Sequence, residues 1–382
     1  MNDEIAEKAM RALRGDDPRA ARSTLARLLE QAPERLDIQH AMAVTELRLG
    51  EAESALERLD KAERQARAQA DETAAALMGN LILTKAAACE DLYDPAGAEA
   101  CYREVSANEE GNPRASLGLA YLLFAWGRLD EGKAALESYL QAGLDEAEAL
   151  DGNRAFLTSL RAFEAGDLHP RIFVEAHRGA YVEFFDHHAR QMEAKGWIAE
   201  PARMKRGDDG AIVPVIAEGA RPYAAERMDL VDPSTGQHGM VGDEPMIVAQ
   251  AGFEPLARAP VLLRWPERDL PFPAWISTTC PWNHLRIQVA LAEPSSAAAE
   301  ELDAIIGDWY RAGFDGAFGT HDRGRLHTID DPESPRDAII AWNVDCGRAE
   351  ARAVDDLFKR LSVLHEQVPL RQVVIGRGYV PD

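Results

Sequence analysis

Two regimes of hydrophobic patterning divide the 382-residue chain. Up to about residue 165, apolar positions recur at helical spacing and are broken at turns. Gly15, Gly50 and Gly127 each stand between two helical stretches, and each is followed five residues later by a small residue, Ala20, Ala55 and Gly132. Tyr93 with Ala98 repeats the offset without the glycine. The steps between these turns are 35, 43 and 34 residues. A tight turn between antiparallel helices favours glycine, which adopts positive φ without a steric penalty. A small residue early in the second helix then lets the two backbones approach, and a bulky one fills the gap. The second unit reads Ala43, Gly50, Ala55, Leu59 and Ala62, and the fourth Ala120, Gly127, Gly132, Leu136 and Tyr139. The third offers Ala86, Ala98 and Tyr102, whereas the first places Lys8 and Thr24 at packing sites. Pro33 and Pro113 fall where one unit gives way to the next, because proline cannot continue a helix. The 43-residue step predicts an insertion around Gln65–Glu72, and Leu144–Phe163 a closing helix.

After His169 the pattern changes. Arg171–Gly196 has helical periodicity, with Phe173, Ala180, Phe184 and Met192 available to a buried face. Residues 205–283 alternate short apolar runs (Ala211–Ala217, Pro245–Ala251, Val261–Trp265, Ala274–Thr279) with turn clusters such as RGDDG at Arg206–Gly210 and PSTG at Pro233–Gly236, which predicts short strands. RGDDG lacks the full ligand pattern of a calcium loop and reads as a solvated turn. From residue 284 the chain predicts a strand at His284–Leu291, a helix at Ser295–Ala312, strands at Arg325–Ile329 and Asp337–Val344, a helix at Ala349–Glu366 and a last strand at Leu370–Ile375. This β-α-β-β-α-β order is the ferredoxin-like plait, with both helices on one face of a four-stranded antiparallel sheet.

The small and bulky residues of the N-terminal units stand where the tetratricopeptide family places its own, at close to that family's ~34-residue period. Residues 1–165, about 40% of the chain, therefore resemble that family. The family's early tryptophan is absent from all four units. The resemblance implies stacked antiparallel helix pairs, with a groove lined by the first helix of each pair that captures a peptide or protein segment. The expected organisation is an all-α array over 1–165, a helix with short strands over 166–283, and an α+β plait over 284–382, the last two open to being one domain.

Composition adds a charge argument. Hydrophobic residues make up 46% of the chain and charged residues 28%, ordinary for a globular protein. The 65 acidic against 42 basic residues leave a net charge of −23. Such a surface repels phosphate backbones and anionic membranes, so nucleic-acid and membrane partners are not expected and a basic protein or peptide is. The charged, helical MNDEIAEKAMRALRG lacks an export signal's apolar run, and no apolar stretch approaches the ~18 residues of a membrane span. Cys89, Cys101, Cys280 and Cys346 are too few and scattered for a disulfide framework, which favours a cytoplasmic setting.

Candidate chemistry is sparse. Cys280 follows Ser277-Thr278-Thr279 and precedes Pro281-Trp282-Asn283-His284; as a nucleophile it would need a base, with His284 near in sequence and His321 or His327 within reach through folding. The loop Gly319–Arg325 gathers His321, Asp322, Arg323 and Arg325, whose guanidiniums suit a carboxylate or phosphate. Trp342 is the one aromatic on the central plait strands placed to stack on a ligand. Asp345-Cys346-Gly347 ends a buried strand. Trp265, Phe272, Trp275 and Trp282 cluster with prolines and read as core or as a groove lining. His177 and His188 share a helix face eleven residues apart, but without the i, i+4 spacing of a zinc helix or a nameable third ligand. No cofactor is implied.

These features predict an adaptor: a helical-repeat groove binding a protein or peptide, joined to an accessory α+β domain. The rival expectation is an enzyme acting on a peptide held by the repeats, with a cleft near Cys280, His284 and His321. A third is an acidic regulatory or immunity-type protein that meets a basic target.

Overall fold

The computed structural model describes residues 17–69, 71–108, 112–143, 145–194, 198–199, 204–206, 212–214, 230–231, 238–239, 254–266, 270–319 and 326–381. The chain divides into two compact units, Met1–Leu157 and Thr158–Asp382, with the division inside the helix that closes the array.

In the first unit the described helices run consecutively: α1 (Pro18–Gln31), α2 (Leu36–Arg48), α3 (Ala52–Gln69), α4 (Glu72–Asp91), α5 (Pro95–Asn108), α6 (Pro113–Ala125), α7 (Leu129–Ala142) and α8 (Ala147–Ala165), the last extending past the division. Consecutive helices from α1 to α7 pack on one another. Three of the four expected turns lie among the described residues, and their backbones repeat one another. Gly50, Tyr93 and Gly127 have φ of 75°, 57° and 74°. Each donates its amide to the carbonyl three residues back (Leu47, Glu90, Phe124). The next amide reaches five back, from Glu51 to Glu46, Asp94 to Cys89 and Arg128 to Leu123. This paired closure satisfies carbonyls that a helix end leaves orphaned.

The positions expected to pack do so in all three units. Ala43, Ala86 and Ala120 have no exposed surface, and neither do Ala55 and Ala98. Gly132 takes the same place because a Cβ there would stand 2.7 Å from the Phe124 ring. Leu59, Tyr102 and Leu136 follow as the bulky fillers, all buried. The extra residues of the 43-residue step take the form of helix: α3 and α4 are lengthened to 18 and 20 residues where they meet near Gln69–Glu72, against 13 for α2 and α6. Charged residues near Gln65 keep helical spacing, and Asp71 restarts the helix by accepting from Ala74 N at 2.7 Å. Pro113 sits in the first turn of α6, capped by Asn112. Lys8 and Gly15 lie outside the described residues; Thr24 is half-buried.

The second unit opens with α9 (Arg171–Glu193). Short antiparallel ladders join β1 (Ile198–Ala199) to β4 (Leu230–Val231), β4 to β5 (His238–Gly239), and β2 (Met204–Arg206) to β3 (Ile212–Pro214). The expected strand at 245–251 and the PSTG cluster lie outside the described residues, as does most of RGDDG. A mixed seven-stranded sheet follows, built from β6 (Leu262–Arg264), β7 (Ala274–Ser277), β8 (Leu285–Leu291), β9 (Thr328–Ile329), β10 (Glu333–Arg336), β11 (Ile339–Asp345) and β12 (Leu370–Ile375). Its order is β10-β11-β8-β12-β7-β6, with β9 pairing the far end of β11. All its pairings are antiparallel except β12 with β7. Helices α10 (Ser296–Phe314) and α11 (Arg352–His365) connect β8 to the β9–β11 segment and β11 to β12. Ser295 caps α10, its side chain accepting from Ala298 N.

Two expectations about the sheet need correction. Among the described residues the strand expected at Arg325–Ile329 contributes Thr328–Ile329, and Glu333–Arg336 forms the edge hairpin with β11. The runs at 261–265 and 274–279 belong to this same sheet, extending it beyond β12. One sheet face receives the helices, where Trp342 Nε1 donates to Asp303 on α10 at 3.1 Å. On the other, Gln288 donates to Gly378 O at 3.1 Å and Gln372 to Pro381 O, so the final residues run across that face as a strap. Among the described residues no helix is long and apolar enough to cross a membrane.

Candidate functional site

The first helices of successive pairs, α2, α4 and α6, repeat one surface pattern. Directly after the buried Ala43, Ala86 and Ala120 come Val44, Ala87 and Tyr121; three residues before them stand His40, Leu83 and Leu117. All six retain exposure, while Ala43, Ala86 and Ala120 between them are buried. An apolar stripe thus recurs at equivalent positions on three helices, the arrangement that receives extended chains in helical-repeat proteins.

Two hydrogen bonds fix its ends. Thr84 on α4 gives its hydroxyl proton to Asn80 O at 2.9 Å. His40 Nε2, 2.8 Å from the same oxygen, must therefore be the donor to it, which ties α2 to α4 and sets the tautomer. Burial lowers the His40 pKa, keeping the ring neutral. At the other end Tyr121 donates to Asn153 on α8 at 2.5 Å and meets the Phe156 ring edge-on at 5.9 Å between centroids. Asn153 is itself buried and anchored to Ala149 O at 3.0 Å, so the Tyr121 ring is held rather than loose. Beneath the stripe Glu46 is buried and held by Arg58 in a two-point pair at 2.6 and 2.9 Å. The lengthened ends of α3 and α4, with α5, also border an open pocket of about 530 Å³ lined by Ala66, Arg67, Met78, Ile82 and Val105 among others.

Among the described residues the C-terminal candidates do not assemble into a catalytic centre. Cys280 has no exposed surface, and burial pushes its thiol pKa up, so no thiolate is available as a nucleophile. The preceding polar run turns inward: Thr278 Oγ1 accepts from Val261 N at 3.0 Å and donates to Ala259 O at 3.1 Å. His284 is exposed on the 3-10 turn Trp282–His284. His321, Asp322, Arg323 and Arg325 lie outside the described residues. His327 is buried, 3.4 Å from the Asp345 carboxylate. Cys346 is fully buried with its thiol pKa pushed up, chiefly by burial, and its amide donates to Trp282 O at 2.9 Å. Trp342 is buried against α10, which corrects the expectation that it stacks on a ligand. Trp265, Phe272 and Trp282 are core residues.

His177 is a structural histidine. Its Nε2 lies 2.9 Å from Thr278 O and 3.2 Å from the Cys280 amide nitrogen, so one tautomer donates to the carbonyl and the other accepts from the amide. The His188 side chain lies outside the described residues. Asp186, on the same helix, pairs with Arg348 at 2.5 Å. Among the described residues no group of three or more His, Cys, Asp or Glu side chains is placed to hold a metal.

Sequence reasoning did not single out His40 or Tyr121; each stands at a fixed offset from the buried small residue of its helix, Ala43 on α2 and Ala120 on α6, and that offset was the available signal. No protein-family model matches this chain, and no curated protein matches it.

Proposed function

We propose that this chain is a docking protein whose tetratricopeptide-like array takes up an extended peptide segment of a partner along His40, Val44, Leu83, Ala87, Leu117 and Tyr121. The observation that carries the reading is the recurrence of residues that keep part of their surface exposed, all but His40 apolar or aromatic, at equivalent places on α2, α4 and α6. The three matching turns and the shared buried positions support the family resemblance. In the C-terminal unit the strand order β10-β11-β8-β12 with two helical crossovers supports a ferredoxin-like plait, extended by β7 and β6. That module serves an accessory role. The net charge of −23 favours a basic partner through complementary long-range attraction. The four free cysteines fit a reducing, cytoplasmic compartment.

Photo-crosslinking of the full chain tests the proposal. A photoreactive residue at Leu83 or Leu117 is expected to capture one basic protein, and the same probe at Glu57, exposed on the second helix α3, is not. Tyr121→Glu, which puts a charge on the stripe, is expected to lower the yield at both positions at least tenfold. Capture that is equal at Glu57, or indifferent to Tyr121→Glu, would overturn the docking face.

A further inference from the structure

At one end of the C-terminal sheet an open pocket of about 340 Å³ is lined by Arg336, Asp337, Ile339, Arg371 and Val380. Three parts of the fold meet there. Arg336 and Ile339 are opposed across the β10–β11 hairpin, and Asp337 shares its turn with Ala338, whose φ is 67°. Leu291 N donates to Ala338 O at 2.8 Å, which fastens the hairpin end to β8. Arg371 comes from β12: Leu370 pairs with Leu291 and Gln372 with Ala290, so Arg371 is the extra residue of a bulge. A bulge re-aims a side chain that a regular ladder would fix. Val380 belongs to the C-terminal strap, which Gln372 pins by donating to Pro381 O. Ile339 and Val380 are buried and make an apolar floor, while Arg336, Asp337 and Arg371 are exposed around it. Acidic residues outnumber basic ones by 65 to 42, yet among the described residues neither guanidinium has an ion-pair or hydrogen-bond partner, and neither has the Asp337 carboxylate.

We infer that this pocket binds a free aliphatic α-amino acid of about leucine's size. Two unpaired cations and one unpaired anion around an apolar floor call for a ligand that carries both signs and an apolar group. The ligand carboxylate takes the two guanidiniums, whose planar forks suit it. Its ammonium takes the Asp337 carboxylate, and its side chain lies on Ile339 and Val380. A phosphate or a dicarboxylate fits less well, since its second negative charge would stand beside Asp337. The volume is at the low end of the ~300–1,000 Å³ range of small-molecule sites, which suits an amino acid rather than a nucleotide. The bulge, the fastened hairpin and the pinned strap set these groups in place before the ligand arrives, which lowers the ordering cost of binding. Because the charged groups are exposed, water screens each contact and the expected affinity is modest.

The test uses the full chain and probes that share one carbon skeleton: L-leucine, isocaproate, which lacks the ammonium, and isoamylamine, which lacks the carboxylate. Equilibrium dialysis is expected to show one saturable site for L-leucine, half-filled below about 5 mM. Either fragment is expected to bind at least about fivefold more weakly. Arg336→Gln and Arg371→Gln are each expected to weaken leucine binding at least about fivefold. Asp337→Asn is expected to weaken leucine as well and to leave isocaproate binding no weaker than before. Absence of saturable L-leucine binding to the wild-type chain in that range would overturn the proposal. So would isocaproate or inorganic phosphate binding as tightly as leucine, or leucine binding that both arginine substitutions leave unchanged. The comparison of probes on the wild-type chain is decisive alone, so the result does not depend on whether a variant folds. The pocket lies in the second unit and the docking stripe in the first, so either reading can fail without the other.

Discussion

The array and the C-terminal sheet bury their cores over very different chain distances. From α1 to α7 consecutive helices pack on one another. Their buried polar groups are also settled locally, as Glu46 with Arg58 and Tyr102 with Glu90. In the sheet, neighbours come from far apart: Val289 sits between Ile340 and Val373, and His177 reaches the Thr278 carbonyl across 101 residues. Its polar side chains lean on distant backbone carbonyls, as Trp309 does on Ala353 O at 2.9 Å. Near-neighbour packing makes stability a sum of interfaces that open one at a time, whereas non-local pairing gives a unit that forms or fails as a whole.

The largest expected effect sets one buried residue in each region against the other. Trp342→Ala removes a buried indole and its bond to Asp303, at a cost of about 3–5 kcal/mol. All strands from β6 to β12 are expected to lose hydrogen-exchange protection together. Leu136→Ala also empties a fully buried site and costs about 2–5 kcal/mol, yet its loss of protection is expected to stay within α6, α7 and α8. If Leu136→Ala exposes α1–α3 equally, the array is one cooperative block and the contrast fails.

That contrast also explains what was legible in the sequence. In the array the demands are local. Gly50 and Gly127 are visible because a left-handed turn residue favours glycine, and Tyr93 was found from the offset to Ala98 alone. The lengthening of α3 and α4 looked like an insertion because a repeat period registers extra residues without saying what shape they take. In the sheet, β11 was legible as a continuous apolar run, but its edge partner Glu333–Arg336 was not. That strand is largely exposed, polar and contains Pro335, which edge positions tolerate and which leaves no alternation to read. Attachment of β7 and β6 to β12 depends on pairing across about a hundred residues, for which local pattern carries no signal. Cys280 looked accessible because its neighbours are polar; Thr278 instead spends its hydroxyl on buried backbone.

One substitution made in both regions gives a smaller effect. Gly376 has φ +95°, and a Cβ there would lie 2.7 Å from both the Ser277 Cβ and the Thr279 carbonyl oxygen. Gly376→Ala therefore combines left-handed strain with a conflict against backbone and is expected to cost about 2–4 kcal/mol. Gly50 has φ +75° and nothing within 4 Å of the same position. Gly50→Ala is expected to cost only the strain, about 1 kcal/mol. Urea titrations of the two variants measure the difference, and equal losses would mean that the sheet yields around Gly376 as readily as the open turn does.

The smallest effect is one of slope with pH. Burial lowers the pKa of His177 in the sheet unit and of His40 in the array below the ordinary 6.5. Between that value and the folded pKa the unfolded chain binds more protons than the folded one. Each histidine therefore contributes full stability above pH 6.5 and loses it as the pH falls toward its folded pKa. In the array an opposing group is built in: burial raises the pKa of Glu90, whose contribution is full at low pH and is lost as the pH rises through its folded value. In the sheet unit burial also raises the pKa of Asp355, but Arg171 beside it pulls the other way. Acidification from about pH 7.5 to about pH 5.5 should thus lower the sheet unit's urea midpoint through His177 with little compensation. Tryptophan fluorescence follows this unit mainly, since it holds Trp265, Trp275, Trp282, Trp309 and Trp342. His177→Gln is expected to flatten that slope, and His40→Gln to leave it unchanged. A slope that survives His177→Gln would place the titrating group elsewhere and remove the histidine from the account of how the sheet is held.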